Sequence, residues 1–191
     1  MKKTKRVIIA FATIFFLTSA LSLRAYSIAG PSMSPSFWLD DIVIANHNAY
    51  LLNSPERGDV VVYFDSAKNS AAVKRIIGIP GDEIQLTENL VLINGIEQKQ
   101  TLKSKEDFSH IPKENGIGEV IAEENIFGEN HLITFTPFLN PERNFEANVL
   151  KASEYFILGD HRDNSADSRY IGPIHRDQII GRVIWQYHKS L

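Results

Sequence analysis

The 191-residue chain has no cysteine. Disulfide bonds, thiolate catalysis and zinc held by cysteine are therefore excluded. Export is not excluded, because a domain of ordinary size can fold without disulfides. Positive charge is scarce beyond the first six residues. Lys2, Lys3, Lys5 and Arg6 stand there without an acid, which leaves 16 of the 20 basic residues to face 23 acidic ones. A body of that sign is a poor partner for nucleic acid, whose phosphates need a basic face. There is no internal repeat, no H-E-x-x-H histidine pair, and past residue 24 no long amphipathic helical pattern. With 43% hydrophobic and 23% charged residues, the chain has the composition of a folded protein, long enough for one domain and an anchor.

What is present begins with Val7 to Leu23, an uncharged, mostly apolar run of 17 residues. As a helix it spans roughly 25 Å, near the short limit for crossing a bilayer. Four positive charges before it and Arg24 just after it orient residues 1–6 as a cytoplasmic tail, 7–23 as the membrane segment and 24–191 as an exported body. The same features fit a cleavable signal peptide, with Ala20 and Ser22 as small residues near a cut. Either reading sends the body across the membrane.

That body reads as mainly β, built of short strands. Apolar runs at Ile42 to Ile44, Val60 to Phe64, Leu90 to Ile93, His131 to Phe135, Tyr155 to Leu158 and Ile179 to Trp185 alternate with turn signals. These are Arg57-Gly58-Asp59, Pro80-Gly81-Asp82, Asn94-Gly95 and Gly159-Asp160. Residues 100–130 are more polar and predict an inserted β-region or loop, within a variable insertion of about residues 96–150.

Three stretches carry candidate chemistry. Ser32 lies in Ala29-Gly30-Pro31-Ser32-Met33-Ser34-Pro35, a constrained turn that suits a nucleophile and equally an ordinary turn serine. It is not a G-x-S-x-G elbow, since Ser34 stands at the second glycine. Lys74 lies in Ala71-Ala72-Val73-Lys74-Arg75-Ile76-Ile77-Gly78. In a strand it shares a face with Ala72 and Ile76, where desolvation would favour a neutral amine able to act as a base. A lysine at a sheet edge with its head in water is the other reading. Gly159 to Gly172 packs Asp160, Arg162, Asp163, Asp167 and Arg169 with Ser165 and Ser168. Such a loop is either solvated or internally paired, and if paired it could supply a hydroxyl that orients Lys74. His161 and His175, with Asp160, Asp163 and Asp167, have no spacing that fixes a metal site, and no cofactor is called for.

Together these stretches resemble the type I signal peptidases. Ser32-Met33-Ser34-Pro35 is similar to the family's S-M-x-P box. Arg57-Gly58-Asp59-Val60-Val61-Val62 is similar to its R-G-D strand, and Lys74-Arg75-Ile76-Ile77-Gly78-Ile79-Pro80-Gly81-Asp82 to its K-R-x-x-G-x-P-G-D box. Gly159 to Gly172 is similar to the G-D-N-R-D-N-S-x-D-S-R box, with His161 where asparagine is usual. The boxes occur in the family's order and frame residues 27–172.

The resemblance implies a signal-peptidase-like β-fold, shared with the self-cleaving repressors of the SOS response, which lack the last two boxes and the anchor. It implies endoproteolytic removal of signal peptides after small residues of Ala-x-Ala type, through an acyl-enzyme. Ser32 would be the nucleophile and Lys74 the general base. Ser165 would hydrogen-bond and orient the lysine. Asp167 and Arg169 would pair, with Asp160 and Arg162 supporting the loop. The Ser32 N–H would be one oxyanion donor; Gly30 stands where one branch of the family has a serine donor. Ile28, Met33, Phe37, Ala72 and Val73 would line the substrate pockets, or else form core. Partners would be preproteins and membrane lipid, with Phe37-Trp38-Leu39 at the membrane interface and His161 a tolerated variation. A maturase dedicated to pilins or conjugation proteins, and a catalytically silent binding homologue, are the alternatives.

Overall fold

The computed structural model describes residues 22–104 and 120–189. The basic tail and the 7–23 segment lie outside the described residues, except for Ser22 and for Leu23, which opens the first strand. No helix of the described residues is long and apolar enough to cross a membrane.

Among the described residues fourteen strands follow one another. The first four are β1 (Leu23–Ser27), β2 (Ile42–Asn46), β3 (Val60–Asp65) and β4 (Ser70–Gly78). Then come β5 (Glu83–Thr87), β6 (Leu90–Ile93), β7 (Ile96–Glu97), β8 (Gln100–Leu102), β9 (Val120–Ile126), β10 (Glu129–Phe135) and β11 (Phe145–Val149). The chain closes with β12 (Glu154–Leu158), a short helix α1 (Ser168–Ile171), β13 (Ile174–His175) and β14 (Ile179–Tyr187). The protein is mainly β, as its short apolar runs predict.

Seven strands form one antiparallel sheet in the order β1-β2-β14-β3-β4-β12-β13. Between β4 and β12 the chain leaves this sheet and builds two smaller ones, β11-β5-β6-β7 and β10-β9-β8. The second of these is the arm that reaches the site. Asn94 and Gly95 join β6 to β7 with φ of 53° and 74°. Both values belong to the left-handed region that a two-residue hairpin turn requires.

Period-two alternation divides the core. In β12, Phe156 and Leu158 face β5, β6 and β11 with Ile77, Ile84, Val91 and Leu150. Tyr155 and Ile157 face the other way, with Val61, Tyr63, Ile76 and Ile179. A strand buried on both faces needs the continuous apolar run that Tyr155 to Leu158 supplies. Each such side chain contributes about 1.5–3 kcal/mol on burial. A third cluster gathers Ile28, Met33, Phe37 and Val43, with Val60, Val73 and Val183 packed against it. These clusters fix β4 between β3 and β12, and thereby fix Lys74 at mid-strand.

Candidate active site

Pro31 opens a 3₁₀ turn, Pro31–Met33, separated from β1 by Ile28, Ala29 and Gly30. Its fixed φ suits the first helical position. The Ser34 N–H donates to the Pro31 carbonyl (2.9 Å) and the Phe37 N–H to the Met33 carbonyl (3.0 Å). Met33 is buried in the third cluster, so Ser32, one residue earlier, is left half-buried at the turn's surface.

Lys74 points from β4 toward this turn. Its Nζ lies 2.6 Å from Ser32 Oγ and 3.1 Å from the Val73 carbonyl. The residue is only 5% exposed, so water cannot solvate an ammonium there. Burial pushes its pKa down to about 8, against the opposing pull of the Asp167 carboxylate. A lysine at this position is therefore substantially neutral under mildly alkaline conditions.

The loop after β12 brings the third stretch to the same place. Gly159 lies so close to the turn that a Cβ added to it would come 2.3 Å from the Ser32 carbonyl oxygen and 2.2 Å from Ser165 Oγ. Only glycine fits. Gly159→Ala should lower stability by about 1–3 kcal/mol through overpacking, read as a lower thermal unfolding midpoint; an unchanged midpoint would show that the loop can yield.

Ser165 is 9% exposed, and its buried Oγ has no hydrogen-bond partner among the described residues. The bond to Lys74 expected from the sequence is therefore not formed. The lysine reaches back to its own strand's Val73 carbonyl instead. Beside Gly30, which is extended at φ −167°, an added Cβ would meet nothing within 4 Å.

Charged pairs hold the loop. Arg169 Nε and Nη2 donate to the two Asp167 oxygens at 2.8 Å each, as expected from the sequence. Asp167 Oδ2 also accepts from the Gly159 N–H (3.0 Å). Arg162, wholly buried, forms a two-pronged pair with Glu124 of β9, with one bond at 2.8 Å. Asp160 pairs with Arg75, at 2.8 Å to Nε and 2.7 Å to Nη2, and accepts from Ser36 Oγ at 2.5 Å. Burial alone would push the Asp160 carboxyl up, but the Arg75 guanidinium holds it below the usual range. Arg75, next to Lys74 on the opposite face of β4, thus joins the nucleophile turn to the loop.

Nothing local in the sequence singles out Arg75 or Glu124. Their partners lie 85 and 38 residues away, and no local pattern reports such a pairing. Residues 100–130 show no legible chemistry in sequence, yet Glu124 lies among them. His161 is also more than a tolerated variation. It is 1% exposed and bonded on both sides of its ring, to Thr136 and Ser34. His175 is remote from it, on the surface against Asp177 (2.8 Å). Among the described residues no group of three histidines or acids could hold a metal ion.

Of the expected pocket residues, Ile28, Met33, Phe37 and Val73 gather in one cluster. Ala72 does not join them; it faces Val61, Tyr63 and Ile76. Adjacent strand residues point to opposite faces, so Ala72 and Val73 cannot line one wall. Phe37, 5% exposed, is also withdrawn from the surface contact expected of Phe37-Trp38-Leu39, whereas Leu39 is exposed.

The sequence matches the family described as signal peptidase, peptidase S26, over residues 1–188. It is 32% identical over 181 residues to signal peptidase IB of Staphylococcus aureus, covering 95% of this chain and 85% of that protein. It is 29% identical over 170 residues to the probable signal peptidase I-2 of a Synechocystis species, covering 86% and 62%. A crystal structure of a signal peptidase I from Enterococcus faecalis aligns with a TM-score of 0.41 at 21% identity, covering 69% of this chain and 98% of that one. On the extent of the family match and the identity to the staphylococcal enzyme, the chain belongs to the signal peptidase family, peptidase S26, as a serine endopeptidase of type I.

Proposed function

We propose that this protein removes signal peptides from exported preproteins by a Ser32–Lys74 dyad, cutting after small residues of the Ala-x-Ala type. The observation that carries the reading is the 2.6 Å approach of a buried lysine amine to a serine hydroxyl. A hydroxyl is a weak nucleophile until a base takes its proton. Neutral Lys74 accepts that proton as Ser32 Oγ attacks the carbonyl before the cut. The ammonium so formed needs acceptors, and the unpartnered Ser165 hydroxyl beside Gly159 is the group we assign to receive it. The Ser32 N–H donates to the oxyanion; with Gly30 in place of a hydroxyl residue, no side chain at that position helps it. Lys74 then passes the proton to the leaving amine and, in the second half-reaction, activates the water that hydrolyses the acyl-enzyme.

Specificity is assigned to Ile28, Met33, Phe37 and Val73, whose apolar walls admit small side chains and exclude large ones. The 7–23 segment is assigned as a retained anchor with the N-terminus in the cytoplasm and residues 24–191 outside. Ser32 follows that run by nine residues, which keeps the site at the outer membrane surface, where a preprotein's cleavage site emerges.

The test is cleavage of a preprotein with an Ala-x-Ala site by the detergent-solubilised full chain from pH 6 to 10. Below the lysine pKa only the neutral fraction is active, so kcat should rise about tenfold per pH unit and level off above roughly pH 8. Ser32→Ala should lose at least about a thousandfold. Cleavage by Ser32→Ala at the wild-type rate would remove the assignment.

A further inference from the structure

One residue touches most of the nucleophile turn from the far side. The His161 N–H donates to the Ser32 carbonyl (3.2 Å). Its Nδ1 is 3.3 Å from Ser34 Oγ, and the Pro31 carbonyl also faces the ring. Its Nε2 is 2.9 Å from Thr136 Oγ1, one residue past β10. The backbone is stitched at the same point. Thr134 bridges His161, its N–H donating to the Asp160 carbonyl and its carbonyl accepting from the Arg162 N–H, each at 2.9 Å. Ser34, Thr136 and His161 are all buried, and the ring spans directly from the turn to the arm.

We propose that His161 is a positioning residue for Ser32: by bridging Ser34 to Thr136 it clamps the nucleophile turn against the arm and sets the approach of Ser32 Oγ to Lys74. The inference rests on the Ser32–Lys74 reading above. His161 touches no reacting atom and acts only through the turn. A neutral imidazole has one donor and one acceptor nitrogen, and a hydroxyl can serve either, so Ser34 and Thr136 are both satisfied by a single tautomer. Burial lowers the His161 pKa and keeps the ring neutral. A residue that bonds at one end alone leaves the other hydroxyl buried and unpaired, and frees the turn to shift. A displacement of about 1 Å at a reacting group costs on the order of a hundredfold in rate.

The experiment compares kcat and KM of the full chain for one preprotein across five proteins, with thermal unfolding of each. These are wild type, His161→Ala, His161→Asn, Thr136→Val and the Ser32→Ala control. His161→Ala should lower kcat about ten- to a hundredfold with KM within about twofold. His161→Asn, which keeps a donor and an acceptor, should recover part of that loss. Thr136→Val keeps the volume and removes the hydroxyl, and should lower kcat by about three- to tenfold. It decides the matter if His161→Ala does not fold. A folded Thr136→Val or His161→Ala with kcat within twofold of wild type overturns the proposal, as does a change confined to KM. If Ser32→Ala itself retains activity, the dyad reading has failed, which is a separate result.

Discussion

Lys74→Met is expected to abolish cleavage and, at pH 7, to make the protein more stable. Methionine matches the lysine stem in length and flexibility but offers no base, so kcat should fall by at least about a thousandfold. Stability moves the other way because the native site disfavours the ammonium. The folded-state pKa is pushed down to about 8, against about 10.4 for a solvated lysine. Between those values the unfolded chain binds more protons than the native one, so native stability rises with pH across that window. Below about pH 8 the whole penalty is present, about 3 kcal/mol. Methionine escapes it and forfeits a hydrogen bond worth about 1 kcal/mol. The net gain of about 2 kcal/mol should raise the unfolding midpoint by about 4–8 °C at pH 7 and should turn into a small loss, at most about 1 kcal/mol, by about pH 10.5. Circular dichroism melts at the two pH values check this. An equal midpoint shift at both would mean that Lys74 is not the titrating group.

Glu124→Met and Arg162→Met should each cost about 3–5 kcal/mol, whereas the double variant should come within about 1 kcal/mol of wild type. Neither side chain has exposed surface, so each single change leaves a charge buried without its partner. Removing both takes the two opposite charges out together from between β9 and the loop that carries Ser165, and leaves His131 and Gln100, which also meet Glu124, facing methionine. Burial alone would push the Glu124 carboxyl up, but Arg162 and His131 hold it far below the ordinary range. The pair is therefore ionised at any pH at which the enzyme would work. Urea unfolding of the four proteins gives the coupling directly. Additive losses in the double variant would show that the two residues do not act as a pair.

The apolar runs made β2, β3, β6, β10, β12 and β14 readable in sequence, because each presents a continuous or alternating apolar face. β5 alternates just as regularly, with Ile84 and Leu86 buried between exposed Glu83, Gln85 and Thr87, but its polar half masks the signal in a short window. β1 is polar and largely exposed at the sheet edge, and it follows directly on an apolar run that dominates any local reading. For the site, the face of Lys74 follows from Ala72 and Ile76, and the Asp167–Arg169 pair lies within three residues. The contacts that escaped are long-range: Arg75 with Asp160, Arg162 with Glu124, His161 with Thr136. Nothing in the composition of residues 100–130 indicates that Glu124 is a buried anion. Its meaning exists only once β9 is laid beside the loop.

The order of the large sheet also governs when the enzyme can exist. β14 stands between β2 and β3, and so joins the hairpin that flanks Ser32 to the hairpin that carries Lys74. It lies far downstream of both residues it unites, and so is made well after them. A nascent chain holding both Ser32 and Lys74 still lacks the backbone ladder that registers one against the other. Under the proposed dyad, the site therefore stays incomplete until β14 pairs on both sides, however early its two residues are made.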